Sequence, residues 1–308
     1  MLALVAVSSG GASISLGDIV KFFTFGELDE TKELILTQMR LPRLVLGILI
    51  GALLATSGVV VQSVFLNPLA DPYIIGIASA ATFGAVIAYL LGLSDVFYGI
   101  FAFLAASGLS LVIFKLAAHT RSISTLLIVG IAVSSFLGAF TSFAVYLIGE
   151  DSFRITAWMM GYLGGANWQK IALLLPPLLF CMAYFYAKRH ELNIILNGDE
   201  EAKSLGLNVE KSKKSLLIVS SLIIGFSVAF TGMIGFVGLI IPHTLRMALH
   251  TASNAVLIPA SALTGGVFLV FCDVIAKNAL SPVKIPIGVV TSFFGAPFFL
   301  YLAFRKHA

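Results

Sequence analysis

The feature that most limits this chain is a succession of apolar runs about twenty residues long, broken by short polar connections. They cover approximately 41–65, 73–93, 97–118, 125–148, 171–188, 216–234, 254–276 and 286–304. At about 1.5 Å per helical residue, such a run matches a hydrocarbon core of roughly 30 Å. Membrane strands would be runs of about ten residues alternating apolar with polar, which these are not. Charged residues make up only 11% of the chain, against roughly 25% in soluble domains. A water-exposed globule cannot be covered with that supply. The expected fold is all-α, a polytopic membrane bundle forming one transmembrane domain over residues 1–308.

A ninth run, 235–249 (GFVGLIIPHTLRMAL), is too short to span and reads as a half-length or broken helix buried by its neighbours. Met1–Val7 is apolar but far too short, and Ser8–Ala12 interrupts it, so the first span reads as partial or truncated. Residues 16–39 carry mixed charges, as on an amphipathic surface helix. The spans are rich in small residues, as in Gly47-x-x-x-Gly51, which lets helices approach closely in lipid.

Lys and Arg set the orientation. With 188–215 placed in the cytoplasm, eleven of the nineteen basic residues fall on that side: Lys115, Arg121, Lys188, Arg189, Lys203, Lys211, Lys213, Lys214, Arg246, Arg305 and Lys306. The most polar part of that loop is GDEEAKSLGLNV, 198–209.

Chemistry-bearing signatures are sparse. No G-x-x-x-x-G-K-[ST] occurs, so the chain has no recognisable means of hydrolysing ATP. There is no H-E-x-x-H, no G-x-S-x-G and no pair of intramembrane aspartates, and a non-catalytic transporter subunit is expected. Met159 and Met160 are adjacent and point to different helix faces, which disfavours metal ligation. His243 has no second ligand at helical spacing and reads as structural, and Cys181 and Cys272 read as buried packing residues. Asp273 and Lys277 are four apart, in the order that favours an ion pair. Asn67-Pro-Leu-Ala-Asp-Pro72 cannot continue a helix; it is either a pathway-lining turn or a connection at the cytoplasmic interface.

Five stretches, in order, carry a resemblance: 39–85, 157–168 (AWMMGYLGGANW), 202–209 (AKSLGLNV), 233–247 (MIGFVGLIIPHTLRM) and 285–303 (IPIGVVTSFFGAPFFLYLA). Together they resemble the FecCD-type permeases of ABC importers, which carry vitamin B12, haem and ferric siderophores across the bacterial inner membrane. The resemblance implies the type II importer permease fold, with ten spans in the family. It implies a homodimer, two ATP-binding cassette subunits, a periplasmic binding protein and no nucleic acid. ATP and Mg would be bound by the partner ATPase, and no cofactor by this chain.

By the same resemblance, the segment around 190–214 forms two short cytoplasmic helices docked into the ATPase, with Glu201, Ala202, Leu205, Gly206 and Leu207 at the contact. Arg40, Arg43 and Lys277 match outer positions that pair with acidic residues of the binding protein; the alternative for Arg40 and Arg43 is interfacial anchoring, and for Lys277 the ion pair with Asp273. The path would run between two identical chains, with Asn67, Pro68, Thr141, Ser142, Met160, Gly161 and Thr291 as candidate lining. Lys284 stands where the family often has Glu. The cargo expected is an iron complex or a corrinoid, with an oxyanion such as molybdate as an alternative. A different class, an ATP-independent secondary transporter, would use Asp273 as its intramembrane carboxylate.

Overall fold

The computed structural model describes residues 1–10, 14–26, 28–73, 76–117, 123–281 and 283–305. The expected positions of Arg121 and Lys306 lie outside them. The described residues form helices joined by turns: α1 (Leu2–Ser8), α2 (Leu16–Phe25), α3 (Glu30–Leu34), α4 (Leu41–Val64), α5 (Ile77–Leu90), α6 (Asp95–Ala117), α7 (Ile123–Ile148), α8 (Phe153–Met159), α9 (Trp168–Ala187), α10 (Arg189–Ile195), α11 (Asp199–Ser204), α12 (Val209–Thr231), α13 (Val237–Leu249), α14 (Asn254–Asn278) and α15 (Ile287–Arg305).

The expected surface helix over 16–39 is corrected. Ser15 caps α2 by accepting from the Asp18 amide, while Asp18 accepts from the Ser15 amide. Gly26, left-handed at φ 70°, ends it. The chain restarts at Glu30 and runs through a π-helical turn (Ile35–Arg40) straight into α4. Pro42, with no amide hydrogen to donate into the continuous helix, falls directly after the π-helical turn, where the regular ladder is interrupted. Ile19 of α2 and Leu36 of the π-helical turn pack with Val7 of α1 and Ile14, a small cluster apart from the main core.

α4 is the central helix. Its 24 residues, about 36 Å long, include an almost unbroken buried stretch from Ile50 to Val64. It packs against α14, where a Cβ on Gly51 would lie 2.2 Å from the Gly265 carbonyl oxygen, so these backbones touch because neither glycine carries a side chain. Against α13 the same logic holds at Gly58, whose added Cβ would stand 1.9 Å from the Gly238 oxygen. By contrast, α7 and α9 expose most of their apolar side chains, among them Phe136, Phe143, Leu173 and Phe180. That is the pattern of helices whose solvent is lipid or another apolar chain.

α13, at 13 residues, spans roughly 20 Å, about two-thirds of the hydrocarbon core and too short to cross it, as the short ninth run implies. α12 begins at Val209, seven residues before its apolar run, because the helix continues as a polar stem beyond the core. α5 begins at Ile77, four residues after the start of its run; the Asp71 carboxylate instead accepts from the Tyr73 amide, 2.7 Å away, in a turn.

Candidate functional site

Two regions of the bundle hold the candidate residues near breaks in the helices, and a third holds the short polar helices. The first is a junction in which three helix ends satisfy one another. The Ile287 and Gly288 amides, in the first turn of α15, have no partner within their own helix. They donate to the Gly161 and Met160 carbonyls at 3.1 and 3.0 Å, just past α8. The Tyr162 amide donates to the Thr231 carbonyl at the end of α12, at 2.7 Å. Non-helical backbone is thus covered by protein, as an apolar environment requires. Gly161 has φ 87°, and a Cβ there would lie 2.7 Å from the Met233 oxygen, so both backbone and space demand glycine.

Beside this junction opens a cavity of about 610 Å³, lined by Met160, Met233, Phe236, Gly288, Ser292 and Phe293 among others. Its wall is almost wholly apolar. Phe236 holds a left-handed backbone, φ 67°, at the start of α13, and a side chain at Gly295 would collide with its ring. Of the candidate lining residues, Met160 is on the cavity wall and Gly161 is the turn behind it. Thr291 is buried, its hydroxyl donating to the Gly288 carbonyl at 3.1 Å. Thr141 is likewise buried, donating to the Leu137 carbonyl within α7, while Ser142 is exposed on that helix. Asn67 and Pro68 lie away from this cavity, in the turn after α4, where the Asn67 side chain accepts from the Leu69 amide at 2.9 Å. Phe236, Met233 and Ser292 were not candidates from the sequence. Met233 and Phe236 fall in the 233–247 stretch and Ser292 in 285–303, stretches that carry the resemblance without singling these residues out.

The second region is the outer end of α4 and α14. Arg43 forks onto Asp273, with Nη2 2.7 Å and Nε 3.0 Å from Oδ1. Lys277 reaches the other oxygen at 2.7 Å. The side chains of Asp273 and Lys277 are 5% and 9% exposed, so the ion pair foreseen from the sequence is a buried triad. Arg40 points inward and donates to the Val7 and Ser8 carbonyls at 2.6 and 2.8 Å, holding the C-terminal end of α1. Within the chain, all three cations are committed to its own acid and carbonyls. Lys284 is an exposed cation at this end.

At the opposite end, α10 and α11 are pinned to the stem of α12. Glu191 accepts from Lys188 and Ser212, each at 2.5 Å, and Lys213 meets Asp199 at 2.6 Å. Partial burial works against the Glu191 carboxylate, but its bonds from Lys188 and Ser212 hold its pKa below the usual carboxylate range. The bond to Glu191 raises that of Lys188.

α11 ends in a Schellman motif. The Leu207 amide donates to the Ala202 carbonyl and the Gly206 amide to that of Lys203, at 3.1 and 2.9 Å. Gly206 supplies the left-handed residue, φ 82°, and nothing lies within 4 Å of where its Cβ would be. Ala202 and Leu207 turn inward, Ala202 fully buried and Leu207 against the core. Leu205 is 62% exposed and Glu201 is exposed beside it. Of the two leucines expected at the contact, Leu205 is displayed and Leu207 is turned into the bundle.

A membrane-spanning bundle with a broken-helix cavity and a displayed, pre-shaped polar loop describes a transport subunit. The FecCD transport family model matches residues 1–305, and the chain belongs to that family. A cobalamin import system permease protein BtuC from Halobacterium salinarum is 43% identical, over 89% of this chain and 74% of its own length. A hemin transport system permease protein HmuU from Yersinia pestis is 34% identical over 99% and 92%. An ABC transporter described as of metal-chelate type, solved in an inward-facing conformation, superposes with TM-score 0.87 at 31% identity, covering 99% of this chain and 95% of that one. The chain is a permease subunit of an ABC importer, a non-catalytic membrane protein.

Proposed function

We propose that two copies of this chain form the passage of an importer for a corrinoid, with haem or a ferric siderophore as the neighbouring cargo class. The observation that carries the reading is the 203–206 loop, exposed and rigidly shaped at the end of a segment otherwise pinned to the bundle. A separate ATPase binds ATP and Mg and closes on Leu205, Gly206 and Glu201. Cargo then passes by alternating access, each state favoured by its own set of partner contacts. The chain performs no covalent step. An apolar cavity wall suits a bulky cargo that must be released as well as admitted. The similarity to a cobalamin permease at 43%, against 34% for a hemin permease, supports the corrinoid.

A binding protein delivers cargo at the outer end. There the triad of Arg43, Asp273 and Lys277 carries one net positive charge, which attracts an acidic surface without direct pairing, and Lys284 is placed for direct contact. The membrane is the cytoplasmic membrane, the inner one in a bacterium.

The test is uptake in a host lacking its own corrinoid and haem permeases, supplied with this chain, an ATPase and a binding protein. ATP-dependent uptake of labelled cyanocobalamin above that of hemin is expected. Hemin uptake alone would reassign the cargo, and uptake that persists without the ATPase would contradict the importer reading.

A further inference from the structure

We infer that a line of hydrogen bonds from α10 to the start of α13 transmits movement of the docking segment to the cavity wall, making Asn193, Asn254, Ser63, Gln62 and Arg246 positioning residues for transport. The inference rests on the proposed docking of an ATPase at α10 and α11. The line begins at Asn193, whose side-chain oxygen accepts from both the backbone amide and the side-chain amide of Asn254, at 2.8 and 2.9 Å. Asn254 opens α14 and is fully buried. Its own oxygen accepts from the Ser63 hydroxyl on α4 at 3.2 Å. Arg246, from the last turn of α13, reaches the Ser63 hydroxyl at 3.4 Å and donates to the Gln62 oxygen. Gln62 then donates through its amide to the Gly238 and Leu239 carbonyls, at 3.3 and 3.2 Å, in the first turn of α13. Two residues before Gly238, Phe236 lines the cavity.

Packing alone does not ask for this line. Gln62, Ser63 and Asn254 are all at most 2% exposed, and polar groups in an apolar core are costly unless they satisfy one another. Arg246 is a half-buried cation with no carboxylate in ion-pair reach among the described residues. Neutral acceptors and the negative end of the α13 dipole stabilise it instead. The bonds tie α10 to α14, α14 to α4 and α4 to α13 in turn, so α10 cannot shift against α14 without either losing bonds or moving α4 and α13. The element able to respond is the break at 232–236, where Phe236 is held in a left-handed conformation that costs energy and that a second arrangement would release.

The test uses the permease–ATPase complex reconstituted in liposomes, with Gln62→Leu, Arg246→Met, Arg246→Lys and Asn193→Ala. Three quantities are read: ATPase bound, amide exchange over 232–240 on adding ATP, and cyanocobalamin or hemin moved per ATP hydrolysed. Bound ATPase at the wild-type level is expected in every variant. In Gln62→Leu and Arg246→Met the exchange response disappears and cargo per ATP falls on the order of tenfold, with partial recovery in Arg246→Lys. Asn193→Ala, at the solvent side, carries the same test should a core variant fail to accumulate. Unchanged response and stoichiometry in Gln62→Leu and Asn193→Ala would overturn the inference while leaving the importer reading intact. A wild-type protein that retains no ATPase would sink both.

Discussion

At the outer end, Arg40, Arg43, Asp273 and Lys277 are turned inward and spent on one another and on α1. At the cytoplasmic end, Glu201, Lys203, Leu205 and Gly206 are displayed, while Glu191, Lys213 and Ser212 hold the display in place. Charge density is similar to the eye in the sequence, yet the two ends use it differently. A charged group with a buried partner fixes architecture, whereas a motor contact must be rigid in backbone and open in side chain. The Schellman turn at 202–207 meets both demands, because its hydrogen bonds are internal and its outward surface is small.

The largest effect that would break this contrast is at Asp273. Asp273→Ala leaves Arg43 and Lys277 together without their acid, and a loss of about 3–5 kcal/mol is expected from thermal unfolding in detergent. A change within experimental scatter would show that the outer charges do not hold the bundle. Next comes Gly206→Trp. A left-handed non-glycine residue costs roughly 1–2 kcal/mol, and the space around Gly206 is open. Folding should survive while ATP-driven uptake is lost. Uptake retained at wild-type rate would return the loop to mere solvent-facing chain.

Lys277→Met sharpens the comparison from the other side. It leaves the Arg43–Asp273 pair neutral and well formed, so stability should move by less than about 1 kcal/mol. A loss as large as that of Asp273→Ala would mean that Lys277, not Arg43, is the main partner. The smallest effect concerns pH at Glu191 and Lys188. Glu191 has a depressed pKa, so its contribution is present above the ordinary carboxylate pKa and fades as pH falls through the depressed value. Lys188 has a raised pKa, so its contribution is present below its ordinary value and fades as pH rises through the raised one. Amide exchange over 189–207, expressed relative to the unfolded chain's intrinsic rate at each pH, should therefore be flat from about pH 5 to 10 and rise outside that window. In Glu191→Gln the acid-side rise should disappear, and an unchanged profile would count against the pinning role.

The spans were legible because lipid demands long apolar runs, and α4, α6, α9 and α14 begin and end within a few residues of theirs. The late start of α5 was not, since Tyr73 is apolar in composition but belongs to the Asp71 turn. The continuous passage from α3 into α4 was hidden by the charges of 27–33, which suit a surface helix as well as a stem. At the site, the Leu-Gly-Leu pattern marked the loop but not which leucine faces out. That depends on the Schellman geometry, which places Leu207 against Ala202. The outer triad was half visible: Asp273 and Lys277 are local in sequence, while Arg43 is 230 residues away and meets them only through α4–α14 packing.

The most direct test of the account is purification of the tagged chain from native membranes in mild detergent, beside Gly206→Trp expressed to the same level. An ATPase that co-purifies with the wild type and is missing from the variant, with both permeases folded, is the predicted result. Equal retention of an ATPase by both, or a wild-type permease that repeatedly emerges intact and alone, would contradict it.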